Sequence, residues 1–100
     1  MRDEWNPETH LPPLFGVPTS VKDIFDQKGK RTTLGVTARA HDIKQKDCGA
    51  VASLRKGGVI PFVRSNVSQT TLTYESYNYL WGRSLNPWNT KRNIGGSSGG

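Results

Sequence analysis

Few residues in this chain have side chains suited to covalent chemistry, and most of them cluster in two places. Ser97 and Ser98 stand inside a glycine run, Gly95-Gly96-Ser97-Ser98-Gly99-Gly100, and Lys22 stands in the alternating stretch Ser20-Val21-Lys22-Asp23. The serine run has three readings. A flexible Gly/Ser tail behaves as a random coil and does no chemistry. A nest of backbone amides would bind an anion, although the Lys-Ser/Thr ending of a phosphate loop is missing and no helix follows. A catalytic loop would use the glycines to let backbone approach reacting atoms closely. Lys22, judged alone, reads as an ordinary exposed strand lysine. Cys48, the single cysteine, has no histidine near it except His41 and reads as a small buried residue. His10 and His41 lie in polar surroundings without metal-ligand spacing, so neither a metal site nor a cofactor is expected.

The elements that must position these residues are short. Residues 1–13, MRDEWNPETHLPP, read as an irregular lead-in. The alternation of Thr19, Val21 and Asp23 against Ser20, Lys22 and Ile24 predicts a strand, with Pro18 at its first position, where no ladder donor is needed. Ser20 and Lys22 then share a face, and Asp23 points away from Lys22. The stretch QKGKRTTLGVTARAHD has no clear period and reads as a long loop, the kind that in compact domains covers or serves a site. A helix follows, with Asp47 as N-cap, Ala50, Val51 and Leu54 as its apolar face, and Gly57-Gly58 as its stop. Val59-Ile60-Pro61-Phe62-Val63 predicts a buried strand of an α/β sheet, its pairing made irregular by Pro61. From Arg64 to Asn93 the chain is polar, with a turn at Asn86-Pro87-Trp88. Trp5, Trp81 and Trp88 read as packing residues.

Composition narrows the function classes. One hundred residues with 33% hydrophobic side chains, 11 glycines and 6 prolines make one small, loop-rich domain. Its core is limited, because a chain of this size buries only about 60–65% of its unfolded surface. The net charge of +6 comes from single or paired basic residues. No run reaches the density of a nucleic-acid patch, and no aromatic residues interleave with the basic ones, so a solvated basic surface is the reading and a nucleic-acid partner is not expected. The lone cysteine fits a reducing, intracellular compartment. No apolar run is long enough to span a membrane. The composition leaves oligomeric state open.

Four blocks, Gly16–Asp23 (GVPTSVKD), Asp47–Asn66 (DCGAVASLRKGGVIPFVRSN), Gly82–Asn89 (GRSLNPWN) and Gly95–Gly100 (GGSSGG), together resemble the amidase signature family. Within it, TTLG, DC, PFV, SNVSQ and NPW look most like the fatty acid amide hydrolase branch. A linker would have no reason to follow these blocks in register, so the resemblance identifies GGSSGG as the family's catalytic loop.

The resemblance implies an α/β fold, a large mixed sheet flanked by helices, of which residues 14–100 form the N-terminal part. It implies a Ser–Ser–Lys hydrolase of carboxylic amides, with a small-molecule amide as substrate, a lipid amide in the branch it most resembles. That branch is compatible with peripheral membrane association of the full-length protein. By motif match, Lys22 is similar to the general base and Ser97 to the bridging serine, whose preceding peptide, Gly96–Ser97, is characteristically cis. Ser98 matches a supporting polar position, and the loop glycines Gly95 and Gly96 match supporting ones, which let the backbone approach closely and adopt conformations a side chain would forbid. Thr71 and Leu72 fall where relatives line the substrate channel. A serine hydroxyl needs a base to take its proton, and a lysine can serve only in its neutral form. In the family the nucleophile and the oxyanion-hole amides come from a second glycine-rich segment downstream of GGSSGG. The 100 residues are therefore expected to be inert alone. The amidotransferase A subunit, which acts on charged transfer RNA, shares these blocks and is the alternative enzyme; an anion-binding module is the non-catalytic one.

Overall fold

The computed structural model describes residues 11–100. Positions 1–10 of the expected lead-in, with Trp5 and His10, lie outside the described residues. The expected first strand forms as β1, Pro18–Lys22. It ends at Lys22, so Asp23 and Ile24 begin a turn. A single α-helix among the described residues, α1, spans Gly49–Lys56, and β2 follows over Ile60–Ser65. β1 and β2 pair in parallel, and the connection between them, which includes α1, is long enough for the crossover that parallel strands require.

The irregularity expected at Pro61 is present. Thr19 pairs with Pro61 but Ser20 pairs with Val63, so the register skips Phe62. Proline offers no N–H to the ladder, and a bulge absorbs the loss. Beyond it the pairing runs Val21 with Arg64 and Lys22 with Ser65.

Two local expectations are corrected. The helix N-cap is Cys48, not Asp47. The Asp47 carboxylate instead accepts the Lys28 backbone N–H at 2.7 Å and pairs with Arg55 at 2.9 Å, tying the long loop to the helix. β2 is not buried: Ile60, Phe62 and Val63 are 53%, 70% and 43% exposed. Continuous apolar sequence signals a strand meant for cover on both faces, and in these residues β2 lacks that cover. Two further short pairs, β3 (Tyr77–Asn78) with β4 (Gly82–Arg83) and β5 (Leu85–Asn86) with β6 (Asn89–Asn93), are antiparallel hairpins. The Asn86-Pro87-Trp88 turn closes the second of them.

The buried residues are mainly polar. Val21, Val51, Val59 and Val67 are the buried hydrophobic ones, against Asp23, Gln27, Thr32, Thr33, Ser65, Ser68, Ser76 and Asn78. An unpaired buried polar group is costly, and Asp23, Gln27, Thr32, Thr33, Ser68, Ser76 and Asn78 each have a side-chain partner. Asp23 accepts from the Thr33 hydroxyl and, at 3.2 Å, from the Thr33 N–H. Arg64 donates to Asp23 at 2.9 Å, to the Phe25 carbonyl at 3.0 Å and to Gln27 at 3.3 Å. The Trp81 indole N–H reaches the Thr33 hydroxyl at 3.1 Å. This cluster folds the loop after β1 back onto β2. Farther along that loop, hydrogen bonds from Lys44 and then Arg39 hold the Asp42 carboxyl below its usual range. Removing one partner of a buried ion pair leaves the other uncompensated, which costs about 3–5 kcal/mol. Arg64→Ala is therefore expected to lower the unfolding free energy of the chain by that amount, read as a shift of the urea midpoint.

Candidate active site

β1 delivers Lys22 to its C-terminal end, where the chain leaves the sheet. Ser20, Val21 and Lys22 line a cleft of about 260 Å³ that also takes in Val51 and Leu54 of α1 and Ser98 and Gly100 of the glycine run. Ser20 and Lys22 thus open onto the same cleft. Asp23, in the turn after β1, pairs with Arg64 rather than with Lys22.

The glycine run returns to this end of the sheet from far along the sequence. Gly95 and Gly96 both adopt left-handed backbone, with φ of +73° and +65°, a reversal that glycine makes without steric cost. Past them, Val67 and Ser98 form an antiparallel bridge, and the Gly99 N–H donates to the Asn66 carbonyl at 2.7 Å. The loop is docked, not a free tail. The result is a contact across 75 positions of sequence: Lys22 Nζ donates to Ser97 Oγ at 2.8 Å, both residues half-buried. A lysine amine and a serine hydroxyl at that distance can pass a proton in either direction, depending on which carries it.

The other expected site residues fall as follows. Ser98 is exposed, its hydroxyl donating to the Gly100 carbonyl at 3.4 Å. The Gly96–Ser97 peptide, expected to be cis from the family resemblance, is not cis, and no cis bond occurs among the described residues. Thr71 is half-buried, with positive φ (+64°), and Leu72 is 83% exposed; neither lines the cleft at Lys22. No group of three or more His, Cys, Asp or Glu among the described residues could hold a metal.

Sequence reasoning missed the residues that hold the loop. Asn66 gives its backbone carbonyl to Gly99, and its side-chain amide donates to the Gly82 carbonyl and to Ser84 Oγ, each at 3.1 Å. Asn78, fully buried, donates to Asn66 Oδ1 and to the Val67 carbonyl, each at 2.8 Å. The signal available was the density of Ser and Asn between residues 65 and 84, which polarity alone does not assign.

Gly99 fits where no side chain would. A Cβ there would lie 2.8 Å from Ser84 Oγ and 2.9 Å from the Asn66 carbonyl oxygen. Overpacking of this kind costs about 1–3 kcal/mol. Gly99→Ala is expected to release the loop rather than compress the sheet, with amide exchange accelerated at Ser98 and at the substituted position more than at Val21 or Val67. Unchanged exchange at residues 97–100 would show that the loop is held elsewhere.

A family model described as Amidase matches residues 2–100. Over 87 residues, 87% of the chain, the sequence is 41% identical to fatty-acid amide hydrolase 1 of Sus scrofa, covering 15% of that protein. It is 44% identical over 89 residues to fatty acid amide hydrolase 1 of Caenorhabditis elegans, 89% of the chain and 16% of the relative. The crystal structure of the A subunit of glutamyl-tRNA(Gln) amidotransferase from Thermotoga maritima superposes with a TM-score of 0.80 at 25% identity, over 85% of this chain and 19% of that one. The chain spans less than a fifth of the length of each. The strands, helix and small sheets described above are part of the α/β fold of that amidotransferase subunit.

Proposed function

The chain belongs to the amidase family, and on that premise we propose that it supplies the base and the proton relay of a Ser–Ser–Lys centre that hydrolyses carboxylic amides. The observation that carries this reading is the 2.8 Å contact of Lys22 Nζ with Ser97 Oγ. A lysine acts as a base only through a free lone pair, and the Lys22–Ser97 contact lies along the line that such a lone pair would use. A serine hydroxyl both donates and accepts. Ser97 can therefore take the proton of an attacking serine on one side while giving its own to Lys22 on the other. When the amine leaves, the flow reverses: Lys22 returns the proton through Ser97 to the departing nitrogen. By the family resemblance, the attacking serine and the oxyanion donors belong to a second glycine-rich segment, and the oxyanion donors are often the largest electrostatic contribution to such catalysis.

Support for the substrate class comes from the relatives, not from the cleft. The similarity to fatty-acid amide hydrolases of two animals favours a lipid amide. No helix among the described residues is long and apolar enough to cross a membrane, so these residues supply no such span. The fold likeness to an amidotransferase supports a second reading, an amidase that serves charged transfer RNA. Turnover of a long-chain primary amide against glutamine-dependent transamidation separates the two.

In the complete enzyme, Lys22→Ala is expected to lower kcat by about 10²- to 10⁴-fold, the usual contribution of a general base. The pH–rate profile should lose its requirement for a deprotonated group at the same time. Wild-type turnover in that variant would remove Lys22 from the centre. The 100-residue chain alone is expected to hydrolyse no amide and to take no label from a serine-directed fluorophosphonate, read by intact-mass spectrometry. Stoichiometric labelling at Ser97 or Ser98 would place the nucleophile within these residues instead.

A further inference from the structure

We infer that Asn66 is the positioning residue that keeps Ser97 in line with Lys22, acting on both flanks of the serine at once; the inference rests on the base-and-relay reading above. Ser97 itself has one side-chain hydrogen bond among the described residues, the one to Lys22. Its position is therefore set by how its neighbours are tied down. On the C-terminal flank, the Gly99 N–H donates to the Asn66 carbonyl at 2.7 Å, next to the Val67–Ser98 bridge. On the N-terminal flank, the hydroxyl of Ser76, a fully buried residue, donates to the Gly96 carbonyl at 3.4 Å. Both anchors lead to Asn66, because its side-chain amide also donates to the Ser76 carbonyl at 3.4 Å.

The asparagine is itself held from behind. Asn78 donates to its Oδ1 at 2.8 Å, and Asn78 Oδ1 in turn accepts the N–H groups of Leu80 and Trp81 at 3.0 and 2.7 Å. Asn66 directly follows Ser65, the β2 residue in register with Lys22. One residue thus links the strand carrying the register of the base to both ends of the turn carrying the relay. A carboxamide suits this place because it has both a donor group and an acceptor on one short, planar side chain. An aspartate of the same shape keeps the backbone bond to Gly99 but replaces the donors to Ser76, Gly82 and Ser84 with acceptors, facing two carbonyl oxygens.

A displacement of about 1 Å far from the reacting atoms can cost about 10²-fold in rate. Asn66→Asp in the complete enzyme is expected to lower kcat per fluorophosphonate-titrated site to that extent, with KM within about twofold, the pattern of an interaction that serves the transition state alone. Ser76→Ala, which cuts only the Gly96 anchor, should give a smaller loss of the same kind, and it decides the matter if Asn66→Asp yields no titratable enzyme. The double variant Lys22→Ala/Asn66→Asp should be no slower than Lys22→Ala alone, since Asn66 acts through the base–relay contact. Unchanged turnover per titrated site, with only the amount of titratable enzyme reduced, would make Asn66 a folding residue and overturn the inference. Additive losses in the double variant would overturn it as well. If Lys22→Ala itself kept wild-type turnover, the base-and-relay reading would fall, a result independent of how Asn66→Asp behaves.

Discussion

The parallel register of β1 against β2 is the constraint on which the rest of the structure depends. Because the two strands run the same way, they end at one edge, with Lys22 beside Ser65. The residues that leave that edge, Asp23 from one strand and Asn66 from the other, organise everything beyond it. A slip of one position would send Lys22 to the opposite face of the sheet and Asp23 toward the cleft. The bulge that skips Phe62 lies upstream of this edge and sets the register in which the pairing arrives there.

What fixes the register is polar. Only four hydrophobic side chains are buried among the described residues, all of them valines, and such a core specifies shape weakly. The Asp23–Arg64 pair, the Thr33 hydroxyl and the indole of Trp81 instead form one connected cluster behind β1 and β2. Asn66, Asn78 and Ser76 form a second at the strand ends. Hydrogen-bonded clusters are directional where apolar contacts are not, so a chain poor in apolar burial can still hold one lysine and one serine at bonding distance. The exposed apolar surface of β2 is the counterpart of this arrangement.

The two clusters divide the work. The first orients the strand that carries Lys22 by turning Asp23 inward and away from the amine. The second docks the glycine run that carries Ser97. Neither touches the cleft with a charge, so the lysine there meets Ser97 and an uncharged lining that includes Phe25, Val51, Leu54 and Ser20.

Much of this was legible in the residues themselves. Alternation through Ser20 and Lys22 pointed to β1 and the shared face, Gly57-Gly58 stopped the helix, Pro61 marked the irregular pairing, and Asn86-Pro87-Trp88 marked a turn. The motif blocks identified the family. These features depend on neighbours a few positions apart, whose steric and hydrogen-bonding preferences act wherever the chain goes. Tertiary structure decided the rest. Asp47 has the chemistry of an N-cap, yet its carboxylate was taken by Lys28 and Arg55, partners 19 and 8 positions away, and Cys48 became the cap. The apolar run through Phe62 promised a buried strand, but burial is a property of what packs against a strand, and its own residues cannot state it. Above all, no local pattern brings Ser97 to Lys22. That contact exists because a parallel register and a docked loop converge on the same edge, and only the folded chain specifies where such distant groups meet.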